Sequence, residues 1–254
     1  MNDIPRPRRT RADAVRNREQ ILRATIDLLV EDGPTVALET IARRAGVGIA
    51  TLYRHFPDRS VLLRQVAVDM LQQSTTVANT ALAEEPDAFQ ALIRFMHAAI
   101  ELRMGVIMPM LAERVAADDE LFAVRDESKR ALEAIVKAAH DEQSLRPDVG
   151  PGDISLLVIR VARPLPVPIT AEANRRLSHR HLELVLDGLV NLVAVDALPG
   201  RPMQLNELAT LPPDSKYDEP VVVDPSGLWQ GNGQKGVRPS PAADTEGRST
   251  TNGS

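Results

Sequence analysis

Residues 38–57, LETIARRAGVGIATLYRHFP, constrain the fold more than any other stretch, because two helix-length apolar patterns lie on either side of one glycine-centred break. Ile41, Ala42 and Ala45 give the first segment a small apolar face. Gly46 supplies the left-handed backbone that a sharp turn between helices demands, without a Cβ clash. Val47 fills the angle between the segments. Leu52 and Phe56, four residues apart, dock the second segment on the same core. Phe56-Pro57-Asp58 ends it, and Asp58 is placed to cap the helix that follows. With those positions facing inward, Gly48, Ile49, Ala50, Thr51, Tyr53, Arg54 and His55 divide among solvent, core and a partner.

The rest of the chain reads as helix. Over residues 13–31, Ile21, Thr25, Leu28 and Leu29 recur on one face at helical period, and Gly33-Pro34 stops the pattern. Further helices are expected at 59–83, 87–103, 106–116, 120–142, 153–162 and 171–196. Between the last two, residues 163–168, RPLPVP, cannot be helical, because three prolines alternate there. Aromatics make up only 3% of the chain, so a core must come from Leu, Val, Ile, Ala and Met. Residues 199–254 hold 8 Pro and 7 Gly and are expected to be disordered. The fold class is therefore all-α. Its expected parts are a flexible basic arm (1–12), a helix-turn-helix domain (13–66), an all-helical body (67–198) and a disordered tail (199–254). No internal repeat stands out.

The net charge of −5 is unevenly divided. Residues 1–64 contain 12 Arg, no Lys and 8 acidic residues, a net +4, and the remainder carries −9. A basic head on an acidic body points to an anionic partner for the head alone. The chain has no cysteine, which excludes disulfides, thiolate metal sites and cysteine nucleophiles, and which fits a cytoplasmic location. No run of about 18 apolar residues predicts a membrane span. Catalytic and cofactor signals are lacking. Gly46-Val47-Gly48 has neither the third glycine nor the preceding strand of a nucleotide loop. His179 and His181 point about 200° apart on a helix, and no carboxylate or cysteine completes a metal set beside them in sequence.

Two short helices meeting at a tight turn form a helix-turn-helix, whose second helix enters the DNA major groove. Ile41-Ala42, Ala45-Gly46-Val47 and Thr51-Leu52-Tyr53-Arg54-His55-Phe56 resemble, in order and spacing, the helix-turn-helix of the TetR family of bacterial regulators. The resemblance covers about residues 14–66. It implies a dimeric, operator-binding transcription regulator, most often a repressor released by a small molecule, and no enzyme. It also implies roles. Thr51, Tyr53, His55 and Arg59 would contact phosphates, and Arg43 and Arg44 would add backbone contacts from the supporting helix. Gly48, Ile49 and Ala50 would face base edges. Ile49 and Ala50 can touch thymine methyls but make no hydrogen bonds, which leaves Arg54 for direct readout, a guanine being its natural partner.

Each residue has a plainer alternative. Tyr53 can close the small core, His55 can cap a helix, and Arg54 can be solvated. The arm arginines Arg6, Arg8, Arg9 and Arg11 can either reach a groove or touch nothing. Two positions depart from the family pattern. Ala37 replaces the usual Ser or Thr cap, with Thr35 as a partial substitute, and Ala50 replaces a frequent glycine.

For the body the same resemblance implies a helical regulatory, ligand-binding and dimerisation domain over 67–198, with a four-helix dimer interface built from the last two helices of each subunit. Leu182, Leu184, Val185, Leu186, Leu189, Val190, Leu192 and Val193 are too many apolar residues for one stripe, so the last helix needs two partners. Phe95, Met96, His97, Met104, Met108, Met110 and Phe122 form a Met-rich set suited either to core or to an adaptable pocket. His97 and Arg160 are the polar groups available to orient a small-molecule effector. The rival readings are a helical ligand-binding or adaptor protein that does not read an operator, and an activator of the same fold.

Overall fold

The computed structural model describes residues 11–112, 114–116, 118–165, 167–190, 198, 201–202 and 204–206. The arm arginines Arg6, Arg8 and Arg9, the segment 191–197 and the chain beyond residue 206 lie outside the described residues. Among the described residues are nine helices: α1 (Arg11–Asp32), α2 (Leu38–Arg44), α3 (Ile49–His55), α4 (Arg59–Glu84), α5 (Ala88–Glu101), α6 (Met104–Ala112), α7 (Asp119–Asp141), α8 (Pro151–Ala162) and α9 (Ala171–Leu189). No single described helix is long and apolar enough to cross a membrane.

Local chemistry sets most of the boundaries. Asp58, Asp87, Asp118 and Thr170 cap α4, α5, α7 and α9 by accepting from Val61, Gln90, Leu121 and Ala173 backbone N–H groups. α2 lacks such a cap: Ala37 offers no side-chain acceptor and Thr35 does not replace it. The described residues of the Pro-rich segment after Ala162 are non-helical, and α9 starts beyond it.

Two buried clusters divide the chain. The head cluster joins Ile21, Leu28 and Leu29 of α1, Ile41 and Ala42 of α2, Leu52 and Phe56, and α4 from Leu62 to Leu71. It also takes in Ile107 and Leu111 of α6 and Leu121 of α7, so its core reaches well past residue 66. The body cluster is built from the far end of α4 with α5, α7, α8 and α9. α6 lies between them. Met104 packs against both clusters. A Cβ on Gly105 would stand 2.7 Å from the Val158 carbonyl oxygen and 2.9 Å from Ala162 Cβ, so only glycine lets α6 approach α8 this closely. Just before α6, Arg103 adopts a left-handed φ of 58° at the α5–α6 bend and pairs with Asp27 of α1 at 2.7 Å.

One expectation changes. α9 was expected to continue to residue 196, but it ends at Leu189, where the Leu189 carbonyl accepts from Arg146 N and Val190 turns extended to bridge Leu145. Within the segment 199–254, Leu205 is only 8% exposed and belongs to the body core, and the chain beyond residue 206 lies outside the described residues.

Candidate functional site

The turn between α2 and α3 is held by backbone geometry that glycine makes possible. Gly46 sits at φ 68°. Its N–H donates to the Arg43 carbonyl at 3.2 Å, and Val47 N–H donates to the Ala42 carbonyl at 3.0 Å, so the last carbonyls of α2 are satisfied within the turn. Val47 packs against the head core beside them. α3 leaves this turn with Leu52 and Phe56 buried, which fixes its rotation about its own axis. Gly48, Ile49, Ala50, Tyr53 and Arg54 are then all exposed on the opposite face, Tyr53 at 44%. This is a convex, mixed apolar and polar surface with one cation at its centre, of a size that fits a major groove.

The expected contact residues fall into two groups. Tyr53 and Arg54 face outward, His55 is half-buried with its ring 6.3 Å from that of Phe56, and Arg43 is exposed, its guanidinium 3.5 Å from the Thr40 hydroxyl. The other three are engaged with groups of the protein itself. Thr51 is only 6% exposed, because its position on α3 turns toward the core, and its hydroxyl accepts from Arg54 Nη2 at 2.9 Å. Thr51 thus holds Arg54 at the edge of the exposed face. Arg59 turns back onto the α1–α2 turn and donates to the carbonyls of Val36 and Pro34, which have no helical partner there. Arg44 forms a two-pronged pair with Glu31 at 3.1 and 2.7 Å. That pairing lowers the Glu31 carboxyl below its usual range and raises the Arg44 guanidinium.

The Met-rich set does not converge on one place. Phe95 and Met96 are buried in the body core, Met104 touches both cores and Met108 packs on the head core. Met110 is half-buried and Phe122 is 51% exposed. His97 meets His179 of α9. Arg160 is exposed and lines a shallow cavity of about 170 Å³ at the α8–α9 turn, with Arg163, Asn174, Leu177, Ser178 and His181. Sequence reasoning missed that cavity, although basic residues on both sides of the Pro-rich turn were the available signal. α9 buries Leu182, Leu186 and Leu189, whereas Leu184 is 65% exposed. Leu156 and Ile159 of α8 and Leu177 of α9 are half-buried and outside both cores. The second apolar face expected on the last helix is therefore narrower than the sequence implied, since Val190 has left the helix.

Comparison with known proteins matches both regions. The family profile described as bacterial regulatory proteins, tetR family, covers residues 21–66, and a second, described as the C-terminal domain of SbtR-like transcriptional regulators, covers residues 86–191. The chain is similar to the HTH-type transcriptional repressor LfrR of Mycolicibacterium smegmatis, with 33% identity over 138 residues, 53% of this chain and 71% of LfrR. A crystal structure of the TetR transcriptional regulator SCO0520 from Streptomyces coelicolor superposes with a TM-score of 0.53 at 30% identity, covering 69% of this chain and 99% of that one. LfrR crystallised with proflavine superposes with a TM-score of 0.51 at 25% identity, covering 71% and 99%.

Proposed function

The chain belongs to the TetR family and is a DNA-binding transcriptional regulator that responds to ligands, not an enzyme; from that premise we propose that it represses from a double-stranded operator read by α3 and lets go when a small molecule binds the helical body. The observation that carries this reading is the exposed face of α3. Burial of Leu52 and Phe56 leaves Ile49, Ala50, Tyr53 and Arg54 together on the outside. Ile49 and Ala50 contact thymine methyls, Arg54 donates to a guanine, and Tyr53, His55 and Arg43 contact phosphates. Thr51 and Arg59 act indirectly, the first by holding Arg54 and the second by tying the start of α4 to the α1–α2 turn.

Family members act as dimers, and two copies of α3 roughly 34–36 Å apart would meet successive major grooves. The dimer surface proposed here is the outer side of α8 and α9, with Leu156, Ile159, Leu177 and Leu184 as its apolar patches. The relative LfrR binds proflavine in its crystal structure. By that similarity the effector of this chain enters the body, and contact with Met104 would give it a lever on both cores at once. A ligand favouring the wrong spacing of the two α3 helices and an operator favouring the right one then oppose each other through one coupling free energy.

The test is fluorescence anisotropy on DNA from upstream of the chain's own gene, with random DNA as reference. Saturable binding that weakens steeply with salt, and that an Arg54→Ala, Tyr53→Phe variant loses, is the expected result. A response flat in salt, or equal affinity for random DNA, would overturn operator reading by this face.

A further inference from the structure

α5 and α9 each carry a histidine followed four residues later by a glutamate: His97 and Glu101 on one, His179 and Glu183 on the other. At that spacing each pair shares a helix face, and where the helices pack together the pairs interlock. His97 Nε2 lies 2.9 Å from Glu183 Oε1, His179 Nε2 lies 2.7 Å from Glu101 Oε1, and the two Nδ1 atoms are 2.7 Å apart. The four groups form one unbroken chain, Glu183–His97–His179–Glu101. The ring planes differ by only 13° and their centroids are 5.0 Å apart. That separation matches the nitrogen–nitrogen distance plus the depth of both rings. The imidazoles therefore meet edge to edge in nearly one plane, Nδ1 pointing at Nδ1, as a straight N–H···N bond requires.

Three contacts need three protons. Ionised carboxylates only accept, so each outer Nε2 must donate, and the inner contact needs one proton more. Two neutral imidazoles hold only two. The closed chain therefore carries one proton beyond two carboxylates and two neutral rings, wherever along the chain that proton resides. Without it, two bare lone pairs face each other at 2.7 Å. With a second extra proton, two N–H groups collide.

We propose that this quartet is a proton-binding joint, in which a single shared proton closes α9 onto α5. Among the described residues the charged groups facing the two rings are Glu101 and Glu183, and Arg175 backs Glu101 at 3.3 Å while also pairing with Glu172. Both rings are part-exposed, so the joint exchanges protons with solvent. Its position gives it reach. Glu101 is the last residue of α5, two residues before the Arg103 bend that leads to the head, and α9 is the helix assigned above to the dimer face. The inference does not depend on operator binding or on an effector, since it concerns the closure of the body alone.

The experiment follows thermal unfolding of the full chain, after treatment with a chelator, from about pH 5 to 9 across the interval where imidazoles change charge. Wild type is compared with His97→Gln and His179→Gln, which keep a polar amide but cannot titrate. On the alkaline side the folded chain holds more protons than the unfolded one, so stability is lost as pH rises. On the acid side the second imidazolium is excluded, so stability is lost as pH falls. The expected result is a wild-type advantage that peaks within the interval and declines on both sides, by up to tenfold in folding equilibrium constant per pH unit for one proton. Imidazole nitrogen NMR on the wild type should show both Nε2 atoms protonated and one further proton shared by the Nδ1 atoms. This measurement decides the matter even if a variant fails to fold. An advantage constant in pH, or two ordinary neutral rings throughout, would overturn the proposal. So would a zinc-dependent rise in unfolding temperature that both variants lack, which would make the site a metal's instead.

Discussion

Head and body are both helical, yet they are held together by different kinds of interaction. In the helix-turn-helix of the head, the bonds that set the turn are short in sequence: Val47 to Ala42 across Gly46, Asp58 to Val61, Leu52 and Phe56 turning inward one helical turn apart. In the body, the decisive contacts join residues far apart in the chain. His97 reaches His179 and Glu183, Arg146 N–H reaches the Leu189 carbonyl, and Gly105 rests on the backbone of α8. A region specified by neighbours in sequence keeps its outward face constant, which suits the reading of DNA. A region specified by distant pairs can change its side chains in concert, which suits binding varied effectors.

The sharpest way to break this comparison is a matched pair of cavity variants. Leu52→Ala and Leu92→Ala both empty fully buried positions and should each cost about 2–5 kcal/mol. If the head is locally specified, Leu52→Ala should abolish operator binding while far-ultraviolet circular dichroism retains the signal of the body helices. Leu92→Ala should instead lower the main unfolding transition. Loss of body helix in the first variant would erase the distinction. Gly105→Ala comes next. Backbone atoms of Val158 and Ile159 cannot swing aside, so α6 and α8 must part, at about 1–3 kcal/mol in chemical denaturation. Ala37→Ser sharpens the comparison in the opposite direction by supplying the cap that α2 lacks, and calorimetry should register a gain of about 1 kcal/mol. Gln143, at φ 57° just past the end of α7, should accept glycine with a gain of a few tenths of a kcal/mol in the same measurement.

A further effect concerns acid. The Arg146 guanidinium, with help from Leu198 N–H, holds the Asp148 carboxyl down at about 2. A carboxylate depressed in the folded state contributes stability above its unfolded value near 3.9 and loses it as pH falls toward 2. Wild type should therefore lose stability between about pH 4 and 2 more steeply than Asp148→Asn, measured by acid titration of helix content.

The same division explains what could be read in the chain beforehand. The limits of α1, α2, α3 and α4 followed from Gly33, Gly46, Pro57 and Asp58, because caps and breaks act over a few residues. The inward turn of Thr51 and the engagement of Arg59 with Pro34 and Val36 were hidden, because they depend on how α3 and α4 rotate once packed. The early end of α9 depends on Leu145 and Arg146, more than 40 positions upstream, and no local pattern near Val190 announces it. The histidine joint left a trace in sequence, the repeated His-x-x-x-Glu spacing at 97–101 and 179–183. Each copy alone resembles any solvated helix face, and only the pairing of α5 with α9 gives it meaning.

The way α6 is shared between the cores bears on attempts to recombine regulators by grafting recognition heads. A fusion made at residue 66, where the recognisable motif ends, would leave Ile107, Leu111 and Leu121 facing a foreign surface. The transplanted head would also lose the partner that Arg103 offers Asp27. A working hybrid would have to carry those three apolar positions and that ion pair with the head, as a discontinuous graft.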